Sequence, residues 1–392
     1  MNIYVLETAK ALSGLGLEVD VFTRHHDVLD PMVIHLTPKA RVIHLPAGPP
    51  SIGKEGVYEL LDEFTRQVTG FADDEGLCYD LIASHYWLSG LVGIELAAAW
   101  NVPHVTSFHT LAEVKKQARP EEEEHPARSR SERKVANAAD RIVVWTEHEC
   151  AALVAHYDAP PANVSVIPPG VDGQLFTPLR QECARKALDI PADEKAVLYV
   201  GRLERLKGLD ILLQVMTRLD HPDGVRLYVA GGSPGTPEMC WLESTAAELG
   251  VRDKIEFLGS IPQEHLRLYY CAADVCVLPS YYESFGFAAL EAAACGRPVV
   301  ASRVGGLTTV VEDGRTGFLI SWRCPGPFVE RLDLLLRDAN LREEMGLAAR
   351  LHAQSLTWQA AAERLFLTYQ QLIAPDGKWP AANKIPALNR VC

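Results

Sequence analysis

The chain has 392 residues, 48% hydrophobic and 23% charged, which is enough apolar material for two separate cores. Its net charge of −13 argues against a nucleic-acid surface, and no apolar run approaches the roughly 20 residues of a membrane span. No secretory signal is visible. The nine cysteines form no C-x-x-C pair, which argues against zinc and reads as free thiols in a reducing cytoplasm.

In chain order, the sequence predicts strands at Leu17–Thr23, Tyr79–Ser84, Val102–Ser107 and Asp140–Trp145. Helical patterns lie between them at Lys54–Thr69, Leu88–Trp100 and Arg130–Ala139. "RPEEEEHPARSR" (Arg119–Arg130) has no period, and its run Glu121–Glu124 reads as a solvated loop. "VIPPGVDGQLFTPLRQE" (Val166–Glu182), interrupted by Pro and Gly, reads as a linker. The alternation then restarts, with strands at Ala196–Gly201, Val225–Gly231, Lys254–Gly259, Asp274–Ser280 and Arg297–Ser302, each followed by a helix-length pattern. A last helix spans Thr357–Ile373, and the tail after Pro375 is expected to fray. Short buried strands alternating with helices indicate parallel sheets of βαβ units, here in two series.

The chemistry concentrates at strand ends. "PSYYESFGFAALEAAACGRPVVAS" places Glu283 and Glu291 on either side of a strand-to-helix turn in an otherwise apolar stretch. Glu283 precedes the helix and Glu291 lies inside it. A helix N-terminus offers free amides and a positive dipole end, so two acceptors there suit a ligand with hydroxyls and phosphates, such as a nucleotide-sugar. The bland alternative is that Glu283 caps the helix and Glu291 is exposed. "VGRLERLKGLDILL" adds Arg202 and Lys207 after another strand, two cations that could meet a diphosphate or simply face solvent. "VAGGSPG" and "VGG" supply glycine turns at further strand ends. There is no P-loop, and no G-x-G-x-x-G with its later acid, so a nicotinamide oxidoreductase is poorly supported.

The motifs "GRLERLKG", "ESFGFAALE", "CGRPVVAS" and "VGGLTTVVEDGRTGFL" resemble the retaining glycosyltransferases of family 4 (group 1), which have the GT-B fold. The resemblance implies an α/β protein of two doubly wound Rossmann-like domains facing across a cleft. The N-terminal, acceptor-binding domain would cover residues 1–172, with helix 357–374 packing back onto it, and the nucleotide-sugar domain residues 173–356. It implies diphosphate contacts from Arg202 and Lys207, a donor-sugar contact from Glu283 and a ribose contact from Glu291. Gly232, Ser284, Phe285, Gly286 and Phe287 would complete the donor site.

"MNIYVLETAKALSGLGLEVDVFTR", "SHYWLSG" and "SFHTLAEVKK" look like the D-inositol-3-phosphate glycosyltransferase and sucrose-phosphate synthase branch. There the acceptor is a phosphorylated polyol or sugar. The positions matching its contacts are Asn2, Lys54, Tyr86, Thr110 and Arg128, with Lys54 and Arg128 the phosphate ligands. His109 matches the histidine over the donor sugar, while His25, His26 and His85 read as ordinary residues. The implied reaction moves a sugar from a UDP-sugar to a hydroxyl with retention, in the cytoplasm, with no metal or other cofactor. A homodimer is compatible with the sequence. A sugar-nucleotide epimerase remains an alternative reading.

In such enzymes a strand and a glycine-rich turn precede the segment matching "MNIYVLETAKAL". Leu17–Thr23 then corresponds to the second strand of the fold, and the first is missing from the centre of the sheet. The expectation is an N-terminally incomplete chain with a gap or rearranged pairing there, either weakly active or an inactive UDP-sugar-binding homologue.

Overall fold

The computed structural model describes residues 1–27, 29–121, 124–219, 224–321, 324–374 and 390–391. The expected frayed tail lies largely outside them. The chain divides into two compact units, one of residues 1–170 with 358–392 and one of residues 171–357. No helix among the described residues is long and apolar enough to cross a membrane.

Among the described residues the N-terminal unit contains the short strand Arg390–Val391 and seven strands named here in chain order. They are β1 (Glu18–Arg24), β2 (Val33–Thr37), β3 (Ala40–Leu45), β4 (Ile82–His85), β5 (His104–Ser107), β6 (Arg141–Val144) and β7 (Val164–Val166). They form two sheets. In one, the order is Arg390–Val391, β1, β3, β2; in the other, β4, β5, β6, β7. β1 runs parallel to β3, β2 antiparallel to it, and β4 to β7 are all parallel. The interruption expected in the middle of the N-terminal sheet therefore falls between β1 and β4.

Helix Trp358–Ile373 belongs to this unit. It buries Ala361, Ala362, Leu365 and Tyr369, spaced as one helix face, against Ala9 and Leu12 of helix Asn2–Gly14.

The second unit has one continuous six-stranded sheet. Its strands are β8 (Lys195–Val200), β9 (Val225–Ala230), β10 (Ile255–Gly259), β11 (Val275–Leu278), β12 (Val299–Ser302) and β13 (Gly317–Ile320). All pairings are parallel, in the order β10-β9-β8-β11-β12-β13. This is the doubly wound Rossmann order. Strand succession reverses between β8 and β11, and ligands bind beyond the carboxyl ends at such a switch point.

Several expectations are corrected. The helix expected at Lys54–Thr69 is a 3-10 turn at Lys54–Leu60, which contains Gly56, followed by a helix at Leu61–Asp74. The β2–β3 hairpin escapes the pattern because β2 has no buried residue to mark an inner face. The acidic loop is not wholly solvated, since Glu124 is half-buried and paired with Lys115 and Arg128.

Candidate active site

In the second unit, the loops after β8, β11 and β12 are pressed together backbone to backbone. Gly208 has φ +69°, and a Cβ there would stand 1.9 Å from the Pro279 carbonyl oxygen. A Cβ on Gly305 would meet the Glu283 carbonyl oxygen at the same distance, and Gly306 donates its N–H to that oxygen at 3.1 Å. Only glycine permits this approach. It brings the segment after β8, with Arg202 and Lys207, against the segment after β11, with Glu283.

Lys207 Nζ donates to Glu283 Oε2 at 2.7 Å, with both side chains 16% exposed. Arg202 is 74% exposed and pairs with Glu204 at the surface, where such a pair contributes little. Gly286, at φ +101°, caps helix Phe287–Ala294, whose first amides have no intrahelical acceptor. Ser284 Oγ contacts the Tyr282 hydroxyl at 3.3 Å. Phe285 is fully buried edge-on to Phe287. Gly232 follows β9, and its carbonyl accepts from Ser260 Oγ at 2.7 Å.

Glu291 is not an exposed helix residue. It is 7% exposed and accepts from the Tyr270 hydroxyl at 2.7 Å and from Gln263 Nε2 at 3.4 Å. Burial pushes its carboxyl up to about 7 against these two hydrogen bonds.

The N-terminal unit gathers a second cluster. His109 follows β5 at φ +63° and is 6% exposed, with its ring edge-on to Tyr4 and Trp145. Its Nε2 lies 3.1 Å from His85 Nδ1, and its buried Nδ1 has no partner. Burial lowers His85 to about 4 and His109 well below its ordinary value, so both rings are neutral at pH 7. His85, read from sequence as an ordinary residue, thus touches the histidine singled out for the donor sugar. Its place beside Tyr86 was the available signal.

Tyr86, at φ +81°, begins the turn into helix Trp87–Trp100. The Arg128 guanidinium lies 4.9 Å over its ring and donates to Thr110 Oγ1 and O at 2.8 and 2.9 Å. The structure therefore assembles Tyr86, Thr110 and Arg128. It also spends the arginine internally. Arg128 is 1% exposed and bonded to Glu132 at 2.7 Å and Glu124 at 2.5 Å. An incoming phosphate would have to displace Glu124. Neither glutamate was singled out from sequence: Glu124 was read as part of a solvated acidic loop and Glu132 as part of the helical pattern Arg130–Ala139. Asn2 is exposed at the first turn of its helix, and the Lys54 side chain lies outside the described residues.

Residues 180–352 match the family described as "Glycosyl transferases group 1", and residues 1–170 match "Glycosyl transferase 4-like domain". A D-inositol 3-phosphate glycosyltransferase of Corynebacterium jeikeium is 41% identical over 383 residues, covering 95% of this chain and 91% of the relative. The chain is a group 1 glycosyltransferase.

Another such glycosyltransferase, from Geodermatophilus obscurus, is 41% identical over 94% of this chain and 84% of the relative. The sucrose-phosphate synthase of Thermosynechococcus elongatus superposes with a TM-score of 0.88 at 36% identity, covering 95% of this chain and 94% of that one. The lipopolysaccharide glycosyltransferase WaaG, 19% identical with a TM-score of 0.71 over 94% and 95%, shares the fold. The group 1 glycosyltransferase described here accordingly has the GT-B fold, with two Rossmann-like units.

Proposed function

We propose that this glycosyltransferase moves a sugar from a UDP-sugar to a hydroxyl of a phosphorylated polyol or sugar, with retention at the anomeric carbon. The observation that carries the donor half is the convergence of Lys207, Glu283 and a glycine-capped helix N-terminus at the β8/β11 switch point. As the glycosidic bond breaks, negative charge grows on the departing diphosphate. Lys207, Arg202 and the first amides of helix Phe287–Ala294 stabilise it where it develops, with no separate acid needed for the leaving group. Glu283 receives a sugar hydroxyl while remaining tied to Lys207, and Glu291 receives the ribose. His109, whose Nδ1 has no partner among the described residues, is the residue we propose to act on the donor sugar during transfer. UDP-sugar is the only co-substrate proposed, without a further cofactor.

The acceptor half is supported by the names of two relatives, one acting on D-inositol 3-phosphate and one making sucrose-phosphate. Both contain a phosphorylated polyhydroxyl compound. The Tyr86–Thr110–Arg128 cluster is its proposed site, with the phosphate exchanging for Glu124 on Arg128. A second reading, donor binding without transfer, draws on the divided N-terminal sheet.

One experiment separates them. The protein is incubated with UDP-sugars crossed against phosphorylated and dephosphorylated acceptors, and products are weighed by mass spectrometry. Transfer to phosphorylated acceptors alone supports the proposal. Equal use of both forms removes the acceptor assignment, and tight UDP binding without any glycosylated product favours the second reading.

A further inference from the structure

β4 and β5 run parallel with His85 beside Ser107, and Tyr86 N bonds to Ser107 O at 2.8 Å, so the ends of the two strands are fixed to each other. His85 is the last residue of β4. His109 lies two residues past Ser107, and its φ of +63° turns the chain there. The two rings meet as a result, with centroids 5.2 Å apart and His85 Nδ1 3.1 Å from His109 Nε2. Tyr4, 1% exposed, packs edge-on against both rings at 5.6 and 5.2 Å, and Trp145 packs edge-on to His109 at 4.8 Å. These contacts hold the ring planes, and burial keeps both rings neutral at pH 7.

A neutral imidazole has one N–H and one bare nitrogen, so the pair has two arrangements. In the first, His109 Nε2–H donates to His85 Nδ1, and His109 Nδ1 is a bare acceptor. In the second, His85 Nδ1–H donates to His109 Nε2, and His109 Nδ1–H is a buried donor without a partner among the described residues. An orphaned buried N–H is costly and rare, which disfavours the second. The first also puts both rings in the Nε2–H tautomer that imidazole side chains favour in water. Neither ring bonds to a carboxylate among the described residues, so His109 is not driven towards the imidazolium.

We infer that His85 is a positioning residue for the transfer: by accepting from His109 Nε2–H it fixes the tautomer that leaves His109 Nδ1 a bare acceptor for a hydroxyl of the donor sugar. The inference rests on the reading of His109 as the residue acting on that sugar. It makes His109 a hydrogen-bond acceptor and not an acid for the departing diphosphate, in keeping with a leaving group stabilised by cations and amides.

Protein labelled with 15N in histidine reads the proton directly and needs no turnover, because bare and protonated ring nitrogens resonate far apart. Wild type should show His109 with Nε2 protonated and Nδ1 bare, assigned by difference against His85→Phe and against His109→Gly, which is compatible with φ +63°. In His85→Phe the His109 ring should interconvert between tautomers. Its kcat, with UDP-glucose and D-inositol 3-phosphate or with the pair that gives product in the crossed assay, should fall about tenfold or more at unchanged acceptor KM. His85→Asn, whose side-chain oxygen takes the place of Nδ1 as acceptor, should restore both the tautomer and most of kcat. A protonated His109 Nδ1 in wild type, or a His109 tautomer and kcat unchanged in His85→Phe, would overturn the inference. So would a loss that His85→Asn fails to recover, because that is the signature of packing alone. If His109→Gly keeps wild-type kcat, the role of His109 itself falls. If His109→Gly loses activity while His85→Phe does not, only the role of His85 falls.

Discussion

The two Rossmann-like units handle their polar residues differently. In the second unit an unbroken parallel sheet brings Lys207 and Glu283 to the switch point, and both keep some contact with solvent. In the N-terminal unit the sheet is divided, and the most prominent cation, Arg128, is spent on Glu124, Glu132, Thr110 and the Tyr86 ring. A charge at the edge of a site can be held for a ligand, whereas a charge carried into the interior must be neutralised by the protein itself. The same residue type therefore predicts catalysis in one unit and structure first in the other.

The sharpest way to break that contrast is Arg128→Ala. It leaves the fully buried Glu132 without its charged partner and should cost about 3–5 kcal/mol. Denaturant melts followed by hydrogen exchange should show the loss in the N-terminal unit alone, and a wild-type midpoint would show that Arg128 is not a structural charge. In the second unit the opposite outcome is expected. Lys207→Ala and Arg202→Ala should each lower kcat/KM by roughly 10²-fold or more with little change in the melting midpoint. Unchanged kinetics in both would remove the donor-site assignment.

Acidification should also separate the units. His85 and His104 are lowered to about 4 by burial, and the same cause holds His109 well below its ordinary value. Below the ordinary histidine value of 6.5 the unfolded chain takes up protons that the folded chain refuses, so their contribution to stability falls from pH 6.5 towards pH 4. Glu149, raised to about 7 by burial, offsets part of this loss. In the second unit Glu291 is raised to about 7, so between pH 7 and 4.5 the folded form keeps a proton that the unfolded form releases, and acidification favours folding. From pH 7 to 5 the N-terminal unit should lose protection from exchange before the second unit does; the reverse order would contradict the burial of these histidines. The smallest effect is on UDP affinity. A ribose hydroxyl donating to Glu291 favours the ionised carboxylate, so binding should tighten from pH 6 to pH 8 by at most about tenfold, and Glu291→Gln should flatten the profile. A wild-type profile in the variant would remove Glu291 from the ribose.

Much of this is legible without coordinates because parallel strands buried on both faces read as short β-branched runs, as β8, β11 and β12 do. Glycine turns and the Glu283–Glu291 spacing likewise mark a strand-to-helix corner. The β2–β3 hairpin was illegible because β2 has no buried face, and the pairing of Glu124 because it needs Lys115, nine residues away on helix Ala112–Ala118, as well as its near neighbour Arg128.

The sequence by itself determined the two βαβ series and nominated the candidate site residues, since periodicity and turn chemistry are local properties of the chain. Only the tertiary structure decided which charges are available. It paired Lys207 with Glu283, buried Glu291 against Tyr270, joined His85 to His109 and left a cavity lined by β1 and β4. Each of these depends on segments far apart in sequence, and on a balance of burial against pairing that exists only once the chain has packed.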